Sequence, residues 1–424
     1  MPNAEVVPPR VEPTAALARL EPPGWRLPGI ANLHSHAFQR AMAGLAERQV
    51  GAQDSFWSWR ETMYRFAGRV DPDAQFAIAR QLYVEMLEAG YTAVCEFHYL
   101  HHAPDGRPCA EPTAMADAII AAAEGAGIRL TLLPVLYQRG GFDGRALAER
   151  QRRFAHSTDN FLRLHEALRR RRSPMLEVGV AFHSLRAVPL PAMREVLDAL
   201  GDARGPVHIH IAEQQAEVDD CLAAHGRRPV RLLLDELPVD ARWTLVHATH
   251  LDGDEIAGIA RARAVVALCP STEGNLGDGL FPLRAFLAVG GRFGIGSDSH
   301  VSVSPVEELR WLEYGQRLVE QRRARAALAA GSTGEALLAA VAESAADASG
   351  FDASDDALWL DAAHPLLAAA RADDVVDRWI FSGNRPLLRE VRVAGRAVVV
   401  EGRHPRRDEA ARGYAAAIAR LLAD

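Results

Sequence analysis

"DPDAQFAIARQLYVEMLEAGYTAVCEFH", residues 71–98, holds two periodicities end to end. Phe76, Ala79, Leu82, Tyr83, Met86 and Leu87 recur at the spacing of an amphipathic helix, and Gly90 stands where a C-cap needs a left-handed backbone. From residue 92 the chain becomes a short apolar run ending in polar residues, the pattern of a buried strand. Helix followed by strand is half of a repeating unit.

The unit recurs on both sides. Strands are predicted at 29–34, 92–98, 130–137, 176–183, 207–212, 243–247, 264–269 and 292–297, with amphipathic or Ala-rich segments between them. Eight alternations over this length predict an α/β fold, a (β/α)8 TIM-type barrel. A doubly wound open sheet is the rival, but nothing like GxGxxG follows the first strand. Beyond residue 300, "SPVEELRWLEYGQRLVEQ" and the Ala-rich stretch to Gly350 read as helices. In the tail, "DALWLD", "DRWIFSG" and "LLREVRVAGRAVVVEGR" read as strands, the last with a hairpin around Ala394 and Gly395, and a final helix is expected near 409–422. The expected organisation is an N-terminal segment 1–28, a barrel 29–351 and a C-terminal segment 352–424. The terminal segments together form a small β-sandwich-like domain.

Composition narrows the function classes. A chain of 424 residues with 49% hydrophobic residues can build a sizeable core. Its net charge of −7 offers no basic surface for nucleic acid. The one dense basic run, Arg169 to Arg172, reads as a solvated helix end. No apolar run approaches the ~18 residues of a membrane helix, and the acidic, proline-rich start lacks the pattern of a signal peptide. Cys95, Cys109, Cys221 and Cys269 are scattered without a CxxC, as expected of reduced thiols in a cytoplasmic protein. All 48 basic residues are arginine, which excludes any mechanism that needs a lysine.

In a barrel of this kind chemistry is built at the C-terminal strand ends. Four predicted strands end in metal-ligand residue types: His34 and His36 on the first, His210 on the fifth, His247 on the sixth, and Asp298 on the eighth. Residues at i and i+2 of an extended chain share a face, so His34 and His36 can reach one point. Three imidazoles and a carboxylate with an open position suit a catalytic Zn²⁺ or a similar divalent ion. A lone strand-end histidine is more often a hydrogen-bonded core or surface residue; the pair, with "HIHIAE" and "GSDSH" at later strand ends, makes coincidence a poor account. His208 shares a face with His210, whereas His101, His102, His250 and His300 read as supporting or structural. Glu213, three residues past His210, can stand beside a metal without binding it and move protons. Alone, it would read as a glutamate favoured by a helix N-terminus.

The motifs "NLHSHAFQRAMAGL", "FHYLHH", "AFHSLRAVP", "VHIHIAEQQAEV" and "CPSTEGNLGDGLFP" resemble the amidohydrolase superfamily in its mononuclear aminohydrolase branch, and within it the formimidoylglutamate deiminase family. The absent lysine agrees, since branches bridging two metals through a carboxylated lysine are excluded. The resemblance runs from about residue 28 to the C-terminus. Family members usually carry a longer N-terminal segment whose strands complete the small β-domain. Here 33 residues precede His34, the first 20 proline-rich.

The resemblance implies hydrolysis of N-formimino-L-glutamate to N-formyl-L-glutamate and ammonia in histidine degradation. It implies one Zn²⁺ per chain, other divalent metals being acceptable, held by His34, His36, His210 and Asp298. Asp298 would also take a proton from the attacking water, His247 would orient the nucleophile or the forming tetrahedral centre, and Glu213 would protonate the departing nitrogen. The substrate is a small dicarboxylate amidine. Arg186, just after the fourth strand, can clamp a carboxylate through its planar fork; by similarity Gln39, Arg60, Tyr99 and His183 join it, Arg60 from a loop over the pocket. A cytoplasmic homodimer with no nucleic-acid or membrane partner is expected. Two rivals stand: a nucleobase or triazine aminohydrolase of the same branch, whose pocket should favour aromatic stacking, and a non-catalytic scaffold, which should have lost ligands or the proton shuttle.

Overall fold

A computed structural model describes residues 17–47, 56–329 and 331–423. The acidic, proline-rich residues 1–16 lie outside them. The strands in chain order are β1 (Arg19–Glu21), β2 (Gly24–Pro28), β3 (Ile30–Ser35), β4 (Tyr91–His98), β5 (Arg129–Leu136), β6 (Leu176–Val178), β7 (Val180–Ser184), β8 (Val207–Ile211), β9 (Trp243–His247), β10 (Val265–Leu268), β11 (Arg292–Ile295), β12 (Ala357–Leu360), β13 (Leu388–Val393) and β14 (Arg396–Val400).

Parallel pairing runs β4-β3-β11-β10-β9-β8-β7-β5-β6, and a further β4–β5 pairing closes the sheet into a barrel. β6 and β7 are two halves of one barrel strand, both pairing with β5, so the barrel has eight. The fold is the (β/α)8 barrel expected from the alternation, with strand ends within two residues of the predicted ones. The helix Pro72–Ala89 is capped by Asp71, whose carboxylate accepts the Ala74 N–H, and ends at Gly90 with φ 111°. Its Ile78, Leu82 and Leu87 are fully buried, so truncating any of them to alanine would cost ~2–5 kcal/mol.

The N-terminal end of the barrel is plugged. The helix Thr333–Ser349 brings its last carbonyls there: Ala348 accepts from His208 Nε2 at 2.8 Å, and Ser349 accepts from Thr131 Oγ1 at 2.6 Å. His208 is thereby engaged at the barrel end opposite the one where His210 is hydrogen-bonded to His183.

The small β-domain is a five-stranded antiparallel sheet in the order β1-β2-β12-β13-β14, drawn from both ends of the chain. Ala394 and Gly395, with φ 50° and 72°, make the two-residue hairpin between β13 and β14. The final helix, Arg407–Leu422, lies against Pro72–Ala89, where Arg80 pairs with Glu409 at 2.6 Å. One tail prediction fails. "DRWIFSG" is not a strand; Val375–Phe381 is a helix. Its β-branched and aromatic content favours a strand, but Val375, Val376, Trp379 and Ile380 are buried at helical spacing, so packing overrides propensity. The run Arg169–Arg172 closes the helix Thr158–Arg169 and is tied down by Glu166, Asp117 and Glu177.

Candidate metal centre and substrate cavity

The site forms where the polar ends of β3, β8, β9 and β11 converge. At Gly296, just past β11, a side chain would put its Cβ 2.8–2.9 Å from His34 backbone and Cβ atoms, so only glycine allows this approach. That approach brings Asp298 beside Ser35, with Asp298 N–H donating to His34 C=O at 3.0 Å. His247 and Asp298 adopt left-handed backbone conformations, φ 67° and 44°, a cost of ~1–3 kcal/mol each for non-glycine residues that recurs at functional sites.

Three imidazole nitrogens meet head-on. His34 Nε2 lies 3.1 Å from His36 Nε2 and 3.0 Å from His210 Nε2, and the last two are 3.3 Å apart. Asp298 Oδ1 is 3.4 Å from both His34 Nε2 and His36 Nε2. His36 Nδ1 donates to Phe97 C=O and His210 Nδ1 to His183 C=O, both at 3.0 Å. Their Nε2 atoms therefore carry lone pairs. Burial and the neighbouring imidazoles hold His34 and His210 well below the usual imidazole range, and burial lowers His36, so no protons separate these lone pairs. His34 Nδ1 is buried without a hydrogen-bond partner, so only coordination at Nε2 would fix its tautomer. A cation resolves this repulsion: nitrogens bound to a tetrahedral zinc at ~2.0–2.1 Å stand about 3.3 Å apart. The donor set fits the ion.

Beside this cluster, His247 Nε2 lies 3.7 Å from Asp298 Oδ2 and 3.8 Å from Glu213 Oε1. Burial disfavours a charged His247, but Glu213, a hydrogen bond to Glu273 and Asp298 outweigh it and push the ring up to about 10. Burial raises Glu213 above the ordinary carboxylate range, His247 opposing and Asp298 adding.

His36, Gln39, Arg60, Tyr99, His183, Arg186, His210, Glu213, His247 and Asp298 line one cavity, and His34 sits fully buried behind them. Arg60 comes from the helix Phe56–Ala67 rather than a loop, its guanidinium 5.2 Å from the Tyr64 ring centroid. Gln39 Nε2 donates to Tyr99 OH at 3.0 Å. Burial, Arg186 and Arg60 together keep His183 neutral. Arg186 makes no side-chain hydrogen bond or ion pair among the described residues.

Sequence reasoning missed several residues. Trp59, Tyr137 and Glu217 also line the cavity. Glu217 follows Glu213 within the same quoted motif, a signal that was available, and burial, with Arg186 opposing and Glu213 adding, lifts it to about 7. Glu273 lies within a quoted motif but reads as an ordinary first-turn glutamate of the helix Pro270–Leu276. His300, read as supporting, links Ser297 Oγ at 2.9 Å to Ser35 Oγ at 3.2 Å, and Ser35 donates onward to Glu96 at 2.5 Å. This buried chain ties β3, β4 and the Asp298 turn together.

A family model described as the amidohydrolase family matches residues 25–353. The chain belongs to the amidohydrolase family. It is 52% identical over 408 residues to a Pseudomonas aeruginosa protein named formimidoylglutamate deiminase, with 93% of this chain and 89% of that one covered. A crystal structure of an amidohydrolase from Brucella melitensis superposes with a TM-score of 0.89 at 49% identity, covering 94% of this chain and 90% of that one. An adenosine deaminase from Xanthomonas campestris with bound zinc shares the fold, with a TM-score of 0.77 at 21% identity over 93% of this chain and 85% of that one. Amidohydrolases are typically metal-dependent, as the histidine–aspartate cluster of this member suits. No described helix is long and apolar enough to cross a membrane.

Proposed function

We propose that this chain hydrolyses N-formimino-L-glutamate to N-formyl-L-glutamate and ammonia, as a cytoplasmic homodimer in histidine degradation. It would hold one divalent ion per chain, zinc being the expected metal, on His34, His36, His210 and Asp298. One observation carries the substrate choice. The Arg186 guanidinium, which makes no side-chain hydrogen bond or ion pair among the described residues, shares a cavity with the histidine cluster and with Arg60. Its donors, not hydrogen-bonded by the described residues, match the two oxygens of a carboxylate.

A bound divalent ion supplies Lewis-acid chemistry and brings the pKa of water down to ~7. The side chains do the rest. Arg186 and Arg60 hold the two carboxylates, with Gln39, Tyr99 and His183 completing the polar wall. Asp298 takes a proton from the attacking water as the C–O bond forms at the amidine carbon. His247, aimed by its neighbours, stabilises the tetrahedral centre. Glu213, whose buried carboxyl keeps a proton at higher pH than usual, passes it to the departing nitrogen as the C–N bond breaks, so ammonia leaves instead of amide ion.

A nucleobase or triazine needs an open ring face to stack on. Two pairs of cavity rings contact each other instead, Tyr99 with Phe154 edge-on at 5.0 Å and Tyr137 with His183 edge-on at 4.5 Å, and a neutral ring would offer Arg186 no anion. Ammonia release measured across formimino amino acids, nucleobases and aminotriazines tests the reading. Turnover confined to formimino dicarboxylates is the expected result, and preference for a ring substrate would overturn it.

A further inference from the structure

The helix Pro305–Glu320 turns Leu309 and Leu312 into the protein, yet its outer face is apolar as well. Trp311 is 50% exposed, Leu318 78% and Val319 67%, with Tyr314 beside them. Leu280, 52% exposed, adjoins them: a Cβ on Gly315 would fall 2.7 Å from its Cδ2. Trp311, Tyr314 and Leu318 follow the 3-and-4 spacing of a single helical stripe. Other exposed large apolar residues, such as Leu20, Leu222 and Val289, lie singly on separate elements, as on any soluble protein.

We infer that this face joins two copies of the chain, with the two helices Pro305–Glu320 running antiparallel about a two-fold axis beside Tyr314. The inference deepens the homodimer of the proposed function and rests on it. A two-fold interface uses the same patch on both copies, so the patch must complement itself. This one does so in charge. Glu307 stands in the first turn, its carboxylate accepting from Ser302 Oγ at 2.6 Å, while Arg322 and Arg323 follow the last turn, exposed and without an ion pair among the described residues. Antiparallel pairing sets Glu307 near the partner's Arg322 and the partner's Arg323, whereas parallel pairing sets like against like. Register follows: residues equally far from the axis on opposite sides meet, so Trp311 lies against the partner's Leu318. The five apolar side chains expose on the order of 500 Å², a patch size that is often functional and more than half of the ~800 Å² per partner in a stable interface.

The face also backs the substrate cavity. A Cβ on Gly274 would lie 3.9 Å from the Trp311 ring, and Leu276 of the same short helix lines the cavity. A second copy docked here would brace the segment that carries Glu273.

Light scattering coupled to size exclusion tests the inference on the full chain at micromolar concentration. The wild type should run at twice the chain mass of 46.1 kDa. Leu318→Glu and the milder Leu318→Ser should each weaken the dimer ~30-fold or more, as hot-spot losses do, with near-wild-type circular dichroism. Arg322→Glu with Arg323→Glu should weaken it too, and adding Glu307→Arg should restore it. A monomeric wild type overturns both the homodimer and this face. A dimer indifferent to Leu318→Ser and to the arginine reversals leaves the homodimer standing and overturns this face alone.

Discussion

His247 Nδ1 lies 3.2 Å from Glu273 Oε1, the same oxygen that accepts the Cys269 N–H at 2.8 Å. That carboxylate accepts from Nδ1, favours the charged ring and turns Nε2 toward Glu213 and Asp298. Glu273→Gln keeps an acceptor in place but removes the charge. A hydrogen bond to a charged group contributes ~1.5–3 kcal/mol, so kcat should fall ~10–100-fold with metal content unchanged. Steady-state rates beside elemental analysis read both. Loss of metal would instead make Glu273 part of the ligand set.

Glu213→Gln should retain the metal and lose most turnover. The amide is nearly isosteric but cannot carry the proton, and general acid–base catalysis typically contributes ~10²–10⁴-fold. Single-turnover rates would show the loss in the chemical step. A metal-free Glu213→Gln protein would assign the carboxylate to coordination.

Protein purified without added metal should contain about one equivalent of a divalent ion, lost to a strong chelator together with activity. Chelation should also lower the thermal midpoint, because the Nε2 lone pairs of His34, His36 and His210 are then left facing one another. Returning zinc at ~100 times its dissociation constant should stabilise the fold by about 2.7 kcal/mol. Two equivalents, with activity following the second, would refute a mononuclear centre.

Arg186→Met should harm N-formimino-L-glutamate far more than an uncharged formimino compound. Removing one partner of a desolvated charge pair costs ~2–5 kcal/mol, or ~30-fold to several-thousand-fold in kcat/KM. Arg60→Met should act likewise. The ratio of kcat/KM for charged and uncharged substrates is the measurement, and a ratio unchanged in both variants would free these arginines from carboxylate binding.

Glu308 is fully buried, and burial pushes its carboxyl up to about 8 although Ser271 donates to it through both Oγ and backbone N–H. Unfolded glutamate titrates near pH ~4.3. The folded chain thus holds the proton more tightly, and the stability this contributes is full below that value and lost as pH rises through about 8. Glu308→Gln should therefore flatten part of the fall in thermal midpoint between about pH 5 and 9. A variant curve parallel to the wild type would place the ionisation elsewhere.

Local pattern alone determined much of this protein. Strand and helix periodicities span a few residues each, so eight alternations were readable, and with them the barrel. Because a closed barrel sends every strand end toward one axis, His34, His36, His210, His247 and Asp298 could be grouped from sequence position without a coordinate. Other features depend on neighbours distant in sequence. Glu273 is a helix-start glutamate until β9 brings His247 to 3.2 Å. The segment 375–381 is strand-like by composition and becomes a helix because the core receives Val375, Val376, Trp379 and Ile380 at helical spacing. Gly296 is one glycine among 33 until β3 crosses beside it. Periodicity records how a segment meets its own core. Which atoms then stand within 3–4 Å across the barrel is set by packing between segments, and only the tertiary structure decides that.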